Sequence, residues 1–179
     1  MATDEKKLVE GRVTLLGVRL SFADIWRPKS IKRKDGTESP PKFSANGLIS
    51  KDGKDDQGNP IMAKYMGKKM PVMAALKKAK MDALTKKLGA DKAEKAKVKP
   101  ENYCVRDGDL ENWDGYEGNF YISANNSKQP KIVGRDKRPM TERDGKPYSG
   151  CYVNLIVSLW CQTPGQTPNG DPKPLGVFG

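Results

Sequence analysis

No histidine occurs in the 179 residues of this chain. Its absence removes the commonest general base and every Ser-His or Cys-His arrangement, leaving carboxylate, lysine or tyrosine chemistry to any enzymatic reading. Cysteine is scarce too. Cys104, Cys151 and Cys161 are unclustered, and with no histidine beside them they make no zinc-site spacing. Cys151 and Cys161 would lie roughly 33 Å apart along a strand rising about 3.3 Å per residue, too far to pair, so reduced thiols are expected. The phosphate-cradling GxxxxGK[ST], the dinucleotide-binding GxGxxG and the nucleophile elbow GxSxG are all missing. No stretch has the apolar length of a spanning helix, and the N-terminus, Met1 to Lys7, lacks the apolar core of a signal peptide, so a soluble intracellular protein is expected. Nor is a cofactor or metal expected. Asp107, Asp109 and Asp114 cluster in one acidic stretch, but the bidentate glutamate of a calcium loop is absent and a turn held by Asx hydrogen bonds is the simpler reading.

What is abundant is positive charge. Lysine and arginine number 33 against 22 acidic residues, a net charge of +11, which speaks of partners rather than fold and puts nucleic acid first among them. An apolar content of 36% in a chain of single-domain length implies one core with long excursions.

The stretch Tyr148 to Cys161 organises the rest. Read with a strand's period of two, Cys151, Val153, Leu155, Val157, Leu159 and Cys161 form an unbroken apolar face, while Tyr152, Asn154, Ile156, Ser158 and Trp160 form the other. Such a strand needs partners to bury one side. Tyr152 and Trp160 either offer rings to a stacking ligand or cover a second layer such as a helix. Gly118 to Asn125 repeats the pattern, with Phe120, Ile122 and Ala124 opposed to Tyr121, Ser123 and Asn125.

Residues 1–9 read as a flexible arm. Arg12 to Phe22 reads as a first strand whose apolar parity slips at Gly17, from Val13 and Leu15 to Val18, Leu20 and Phe22, as a β-bulge requires. Lys42 to Ser50 is a second strand. From Ile61 the period turns helical, giving an inserted helical segment at about 61–97: a helix from Pro71 to Leu88 buries Val72, Leu76, Ala79 and Ala83, and Asp91 with Glu94 suggests a capping box for a second. Two basic excursions separate the strands. One carries Arg27, Lys29, Lys32, Arg33 and Lys34; the other, around a short strand at 131–134 and a hairpin-type turn at Asp144-Gly145, carries Lys128, Lys131, Arg135 and Arg138. Residues 162–179 are rich in Pro, Gly and Thr and are expected to be mobile, with Leu175, Val177 and Phe178 able to pack back as an edge.

About five curved strands, an inserted helix, two basic loops and outward aromatics make the inventory of an OB-fold-like five-stranded barrel, mainly β with inserted helices, spanning residues 10–161. Cations would follow a phosphate backbone while Tyr121, Tyr152 and Trp160 stack bases. The sequence also resembles the bacteriophage single-stranded DNA-binding proteins with an OB-fold, formerly a family of unknown function. The resemblance is carried by Phe22-Ala-Asp-Ile-Trp-Arg-Pro-Lys29, Phe43-Ser-Ala45, the helix from Pro71, Arg106-Asp-Gly-Asp109, Tyr121-Ile-Ser-Ala124 and Tyr148-Ser-Gly-Cys-Tyr-Val153. It implies sequence-tolerant, non-enzymatic binding of single-stranded DNA in phage replication or recombination, in the cytoplasm of the infected bacterium, with replication or recombination proteins as further partners, room for self-association, and no membrane. Many single-strand binders end in an acidic tail, and this sequence ends at Gly179 without one. Two other classes fit the same features: an RNA-binding or RNA-chaperone module, and a basic phage structural protein.

Overall fold

Arg12–Lys29 forms one 18-residue strand, β1, against which most of the sheet is laid. The computed structural model describes residues 8–168 and 170–179. β1 bends twice. At Gly17, φ is +64° and the register with the partner strand shifts between Leu15 and Val18; the freed Gly17 amide donates to Asn154 Oδ1 at 3.0 Å. This is the bulge that the parity slip predicts. The second bend has no glycine to announce it. Phe22 itself takes a positive φ of 44°, and the ladder is irregular from Ser21 to Asp24. The side chain therefore leaves the core parity expected of it and is 51% exposed.

β2 (Lys42–Ser50) pairs antiparallel with the second half of β1. Residues 62–71, expected to begin the helical segment, instead form a hairpin of β3 (Met62–Tyr65) and β4 (Lys68–Pro71). Its two-residue turn, Met66-Gly67, has both φ values positive, the geometry that closes a tight hairpin, but Met-Gly is not a dipeptide that signals one. Helix α1 (Val72–Leu88) then buries Val72, Ala75, Leu76, Ala79, Ala83 and Leu84. The expected capping box is not formed: α2 (Ala90–Lys95) starts two residues too early, with Gly89 as its cap and Asp91 already inside the first turn.

β5 (Val105–Asp107) pairs with β6 (Asn119–Asn126), and β6 pairs with β2 over eight residues from Phe43↔Asn126 to Ser50↔Asn119. β7 (Tyr152–Ser158) covers the other edge of β1. Beyond residue 161 the chain stays with the fold, and the edge packing expected of Val177 and Phe178 is formed. β8 (Trp160–Gln162) is followed by β9 (Gly165–Gln166), β10 (Pro172–Lys173) and β11 (Gly176–Phe178), and β11 pairs with β8 on one side. On its other side the Cys104 amide donates to the Val177 carbonyl at 2.8 Å, and the Asn125 amide to the Gly179 carbonyl at 3.2 Å. The seven-stranded sheet thus curls into a half-barrel whose open side is bridged by β11, and Val177 is fully buried. Burial of Val177 explains why a segment of loop-like composition is held in place.

The core lies between the inner face of this sheet and α1, built from Val13, Leu15, Val18, Ile49, Ala63, Ile122, Val157 and Val177 with the helix stripe. The fold is mainly β with helices inserted in mid-chain, an OB-fold-like barrel with more strands than the five expected. Among the described residues, no helix is long and apolar enough to cross a membrane.

Candidate nucleic-acid interface

Both basic excursions are ordered arms. In the first, the Ile31 amide donates to Ser39 Oγ (2.9 Å), the Arg33 amide to the Thr37 carbonyl (2.7 Å) and the Thr37 amide to Asp35 Oδ1 (2.9 Å), so Lys32, Arg33 and Lys34 sit at a laddered hairpin tip. In the second, the turn lies at Gly134 to Lys137, where the Gly134 amide donates to the Arg138 carbonyl at 2.9 Å. This corrects two expectations. The strand at 131–134 shrinks to a single bridge, Val133↔Pro139, and Asp144-Gly145 ends a short 3-10 turn capped by Thr141 rather than closing a hairpin.

The arms share a root. Arg27 Nε lies 3.1 Å from Glu142 Oε1, Trp26 Nε1 donates to the Pro147 carbonyl (3.2 Å), Gln129 Nε2 to the Ile25 carbonyl (3.2 Å), and the Ala23 amide to Ser149 Oγ (3.0 Å). Ile132 packs on Leu20, Ile25 and Ala45 beneath. Nine expected phosphate contacts, Arg27, Lys29, Lys32, Arg33, Lys34, Lys128, Lys131, Arg135 and Arg138, thereby stand exposed on two arms tied to one base. Three are ion-paired: Arg27 with Glu142, Lys29 with Asp24, Arg138 with Asp136. Ion pairs at the surface add little to stability.

Between the arm roots lies a cleft of about 460 Å³, lined among others by Phe22, Asp24, Trp26, Lys29, Glu142 and Tyr148. Phe22 and Tyr148 are each more than half exposed. None of these rings is among the expected base-stacking residues. Parity places Phe22 in the core, and Tyr148 lies just before the strand whose alternation is clearest.

The expected aromatic set divides. Tyr152, Arg19, Leu48, Tyr121 and Arg106 are register partners across β7, β1, β2, β6 and β5, and so form one row on the outer face of the sheet. Tyr121 is nevertheless only 1% exposed. Residues 108–118 fold over that end of the row, bringing Tyr116 to 5.1 Å and Trp113 to 5.8 Å from the Tyr121 ring, and its hydroxyl donates to Glu111 Oε1 at 2.6 Å. Burial, reinforced by Glu111, pushes its pKa up to about 12. The parity holds; the covering loop, invisible to periodicity, removes Tyr121 as a free platform. Tyr152, at the open end of the row, is 55% exposed, its hydroxyl bonded to Asp56 on the 51–60 turn. Trp160 is also half exposed but leans on Phe178 at 5.5 Å and lies in β8, eight residues and about 26 Å of strand from Tyr152. It belongs to the end of the barrel packed against α1, away from the Tyr152 row.

The covering loop is pinned by Lys51, whose ammonium stands 2.5 Å from both Asp107 Oδ1 and Asp109 Oδ2. Lys51 is the first cause holding both carboxyls below their usual range. The Asp109 amide donates to Asp107 Oδ1 at 3.0 Å, the expected Asx turn. A lysine therefore occupies the place a cation would take between these acids.

An OB-fold-like barrel bearing two cationic arms on one root, with open rings between them, has the geometry that single-strand-binding proteins use. The chain belongs to the family of the Enterobacter phage Enc34 ssDNA-binding protein, whose sequence profile matches residues 11–169. It is 31% identical to protein p50 of Acyrthosiphon pisum secondary endosymbiont phage 1 over 153 residues, 83% of this chain and 72% of that protein. Its fold is similar to that of the single-stranded DNA-binding protein from bacteriophage Enc34 solved in complex with ssDNA, with a TM-score of 0.61 and 23% identity over 94% of this chain and 82% of that one. A C-terminal truncation of the same phage protein gives a TM-score of 0.61 at 22% identity, over 97% and 91% of the two chains.

Proposed function

We propose that this protein binds single-stranded DNA with little dependence on base sequence and protects or organises it during phage replication or recombination, in the cytoplasm of the infected host. The observation that carries this reading is the ring-lined cleft between the two rooted arms: cations on both arms can follow a phosphate backbone while Phe22, Tyr148 and, on the outer sheet face, Tyr152 offer π-surfaces to bases. Among the described residues the one long helix, α1, is packed on the barrel through its apolar stripe. Replication or recombination proteins, and further copies of the chain, are the partners that such a role would bring.

Competition among single-stranded DNA, RNA of the same sequence and duplex DNA tests the reading. Unpaired DNA should win over both, with affinity falling steeply as salt rises. Preference for RNA would move the protein to the RNA-binding class. Equal affinity for single strand and duplex would leave a basic structural protein as the better account.

A further inference from the structure

The cleft between the arm roots has a chemistry that phosphate binding does not explain. Two carboxylates, Asp24 and Glu142, stand in its wall, where a site built only for a polyanion would avoid them. Each is held by a cation from the first arm: Lys29 pairs with Asp24, and Arg27 reaches both oxygens of Glu142, at 3.1 Å and 3.3 Å. These pairings suppress the repulsion of a passing strand yet use only part of the carboxylates' accepting capacity, which is about four hydrogen bonds each. Two of the side-chain donors facing the cleft are engaged: Lys29 is bound to Asp24 through one of its three ammonium protons, and Trp26 Nε1 is spent on the Pro147 carbonyl. The hydroxyls of Ser149, which accepts from the Ala23 amide, and of Tyr148 keep a proton to give, so the two carboxylates tip the balance of the wall toward acceptors rather than emptying it of donors. The remaining lining is ring: Phe22, fixed edge-on against Trp113 at 5.1 Å, and Tyr148, which meets no other aromatic ring among the described residues. A volume of about 460 Å³ falls in the range of roughly 300 to 1,000 Å³ that holds small organic ligands.

Open rings on the apolar side and surplus acceptors on the polar side are what a single unstacked base requires when it is read by its edge. We propose that this cleft takes one nucleobase of the bound strand and that Asp24 and Glu142 favour a base carrying an exocyclic amino group. The cytosine and adenine amines donate to a carboxylate; thymine presents carbonyl O4 at the same position, an acceptor facing an acceptor. This rests on the single-strand reading above and refines it: the protein tolerates any sequence but is not indifferent to base.

The test compares oligo-dC with oligo-dT of equal length, at one salt concentration, on the full chain and on the variant Asp24→Asn/Glu142→Gln. The unaltered protein should bind oligo-dC about fivefold more tightly, the low end of what one well-placed base-edge contact gives. Removing both charges should raise affinity for either strand, since two repulsive groups are gone, and bring the dC-to-dT ratio within about twofold, since an amide offers donor and acceptor alike. The ratio is the readout, so a uniform change in affinity does not imitate it. If the double variant does not melt cooperatively, each single variant should lower the ratio part of the way. A ratio near one in the unaltered protein, or a ratio that survives in the variants, overturns the proposal while leaving single-strand binding intact. Failure to bind either oligonucleotide would instead defeat the reading on which it rests.

Discussion

Tyr121 and Tyr152 share one row of the outer sheet face, and only the second meets solvent. Replacing each by alanine should separate structure from binding. Tyr121→Ala removes a ring packed against Trp113 and Tyr116 and should cost about 3 to 5 kcal/mol of stability, with normal binding by the folded fraction. Tyr152→Ala should move the melting temperature little and weaken single-strand binding by about 1 to 3 kcal/mol. Thermal melting and fluorescence titration on both variants check this, and a badly destabilised Tyr152→Ala protein that binds normally would remove that ring from the interface. The pH dependence follows from the same kind of side chain. Tyr65, which accepts from the Gly11 amide and donates to Asp82, is pushed up to about 12 by burial and by Asp82, as Tyr121 is by burial and Glu111. Both favour the protonated form in the folded state, so their stabilisation is complete below the free tyrosine value near 10 and is lost as pH rises through about 12. A Tyr65→Phe/Tyr121→Phe protein should show a flatter decline of melting temperature across that window than the unaltered chain. Side-chain parity is legible at both Tyr121 and Tyr152, because it is a local property of the strand. What covers a face is decided by a loop outside the strand, and no periodicity reports it.

The first arm shows how far an element can be read alone. Its charge and its turn at Asp35-Gly36 are plain in the sequence; that it is tied to the second arm through Arg27–Glu142, Trp26–Pro147 and Gln129–Ile25 is not, since the partners are more than a hundred residues apart. Neutralising Lys32, Arg33 and Lys34 together should lower the slope of log affinity against log salt by about 0.7 for each phosphate left without its cation, up to about 2 in all. An unchanged slope would return the tip to ordinary solvated surface. The hairpin of β3 and β4 makes the complementary case. Ile61 onward reads as helical because Met-Gly carries no turn signature and each strand is only four residues long, too short for alternation to stand out. The helix beyond it is legible, since its stripe of Val72, Leu76, Ala79 and Ala83 recurs at helical spacing.

For the whole molecule, net charge proves a blunter guide than its size suggests. Residues 64–99 hold twelve lysines and three acidic residues, a net +9, while the arms at 27–41 and 128–148 together hold twelve basic and five acidic residues, a net +7, so the larger share of the positive charge lies on the helical insertion and the rest of the chain is net negative. Composition points to the right partner without pointing to the place. Barrel closure is less legible still, because it rests on β11, in a segment whose composition reads as loop. Val177→Asp should cost at least about 3 kcal/mol by leaving a charge buried without a partner, while Asp substituted at exposed Gln166, in the two-stranded β9–β10 ribbon, should leave the melting temperature almost unchanged. Equal melting temperatures for the two variants would show that the seam is not where stability is held. The position of that seam also sets the order of events on the ribosome. β7, the last strand of the seven-stranded wall, ends at Ser158 and β11 at Phe178, so about 20 residues must be made after the wall is complete before its last stave arrives. At about 5 to 20 residues per second, the nascent chain carries an open, unpaired sheet edge for roughly 1 to 4 seconds, the interval in which it is most exposed to chaperones, proteases and neighbouring nascent chains.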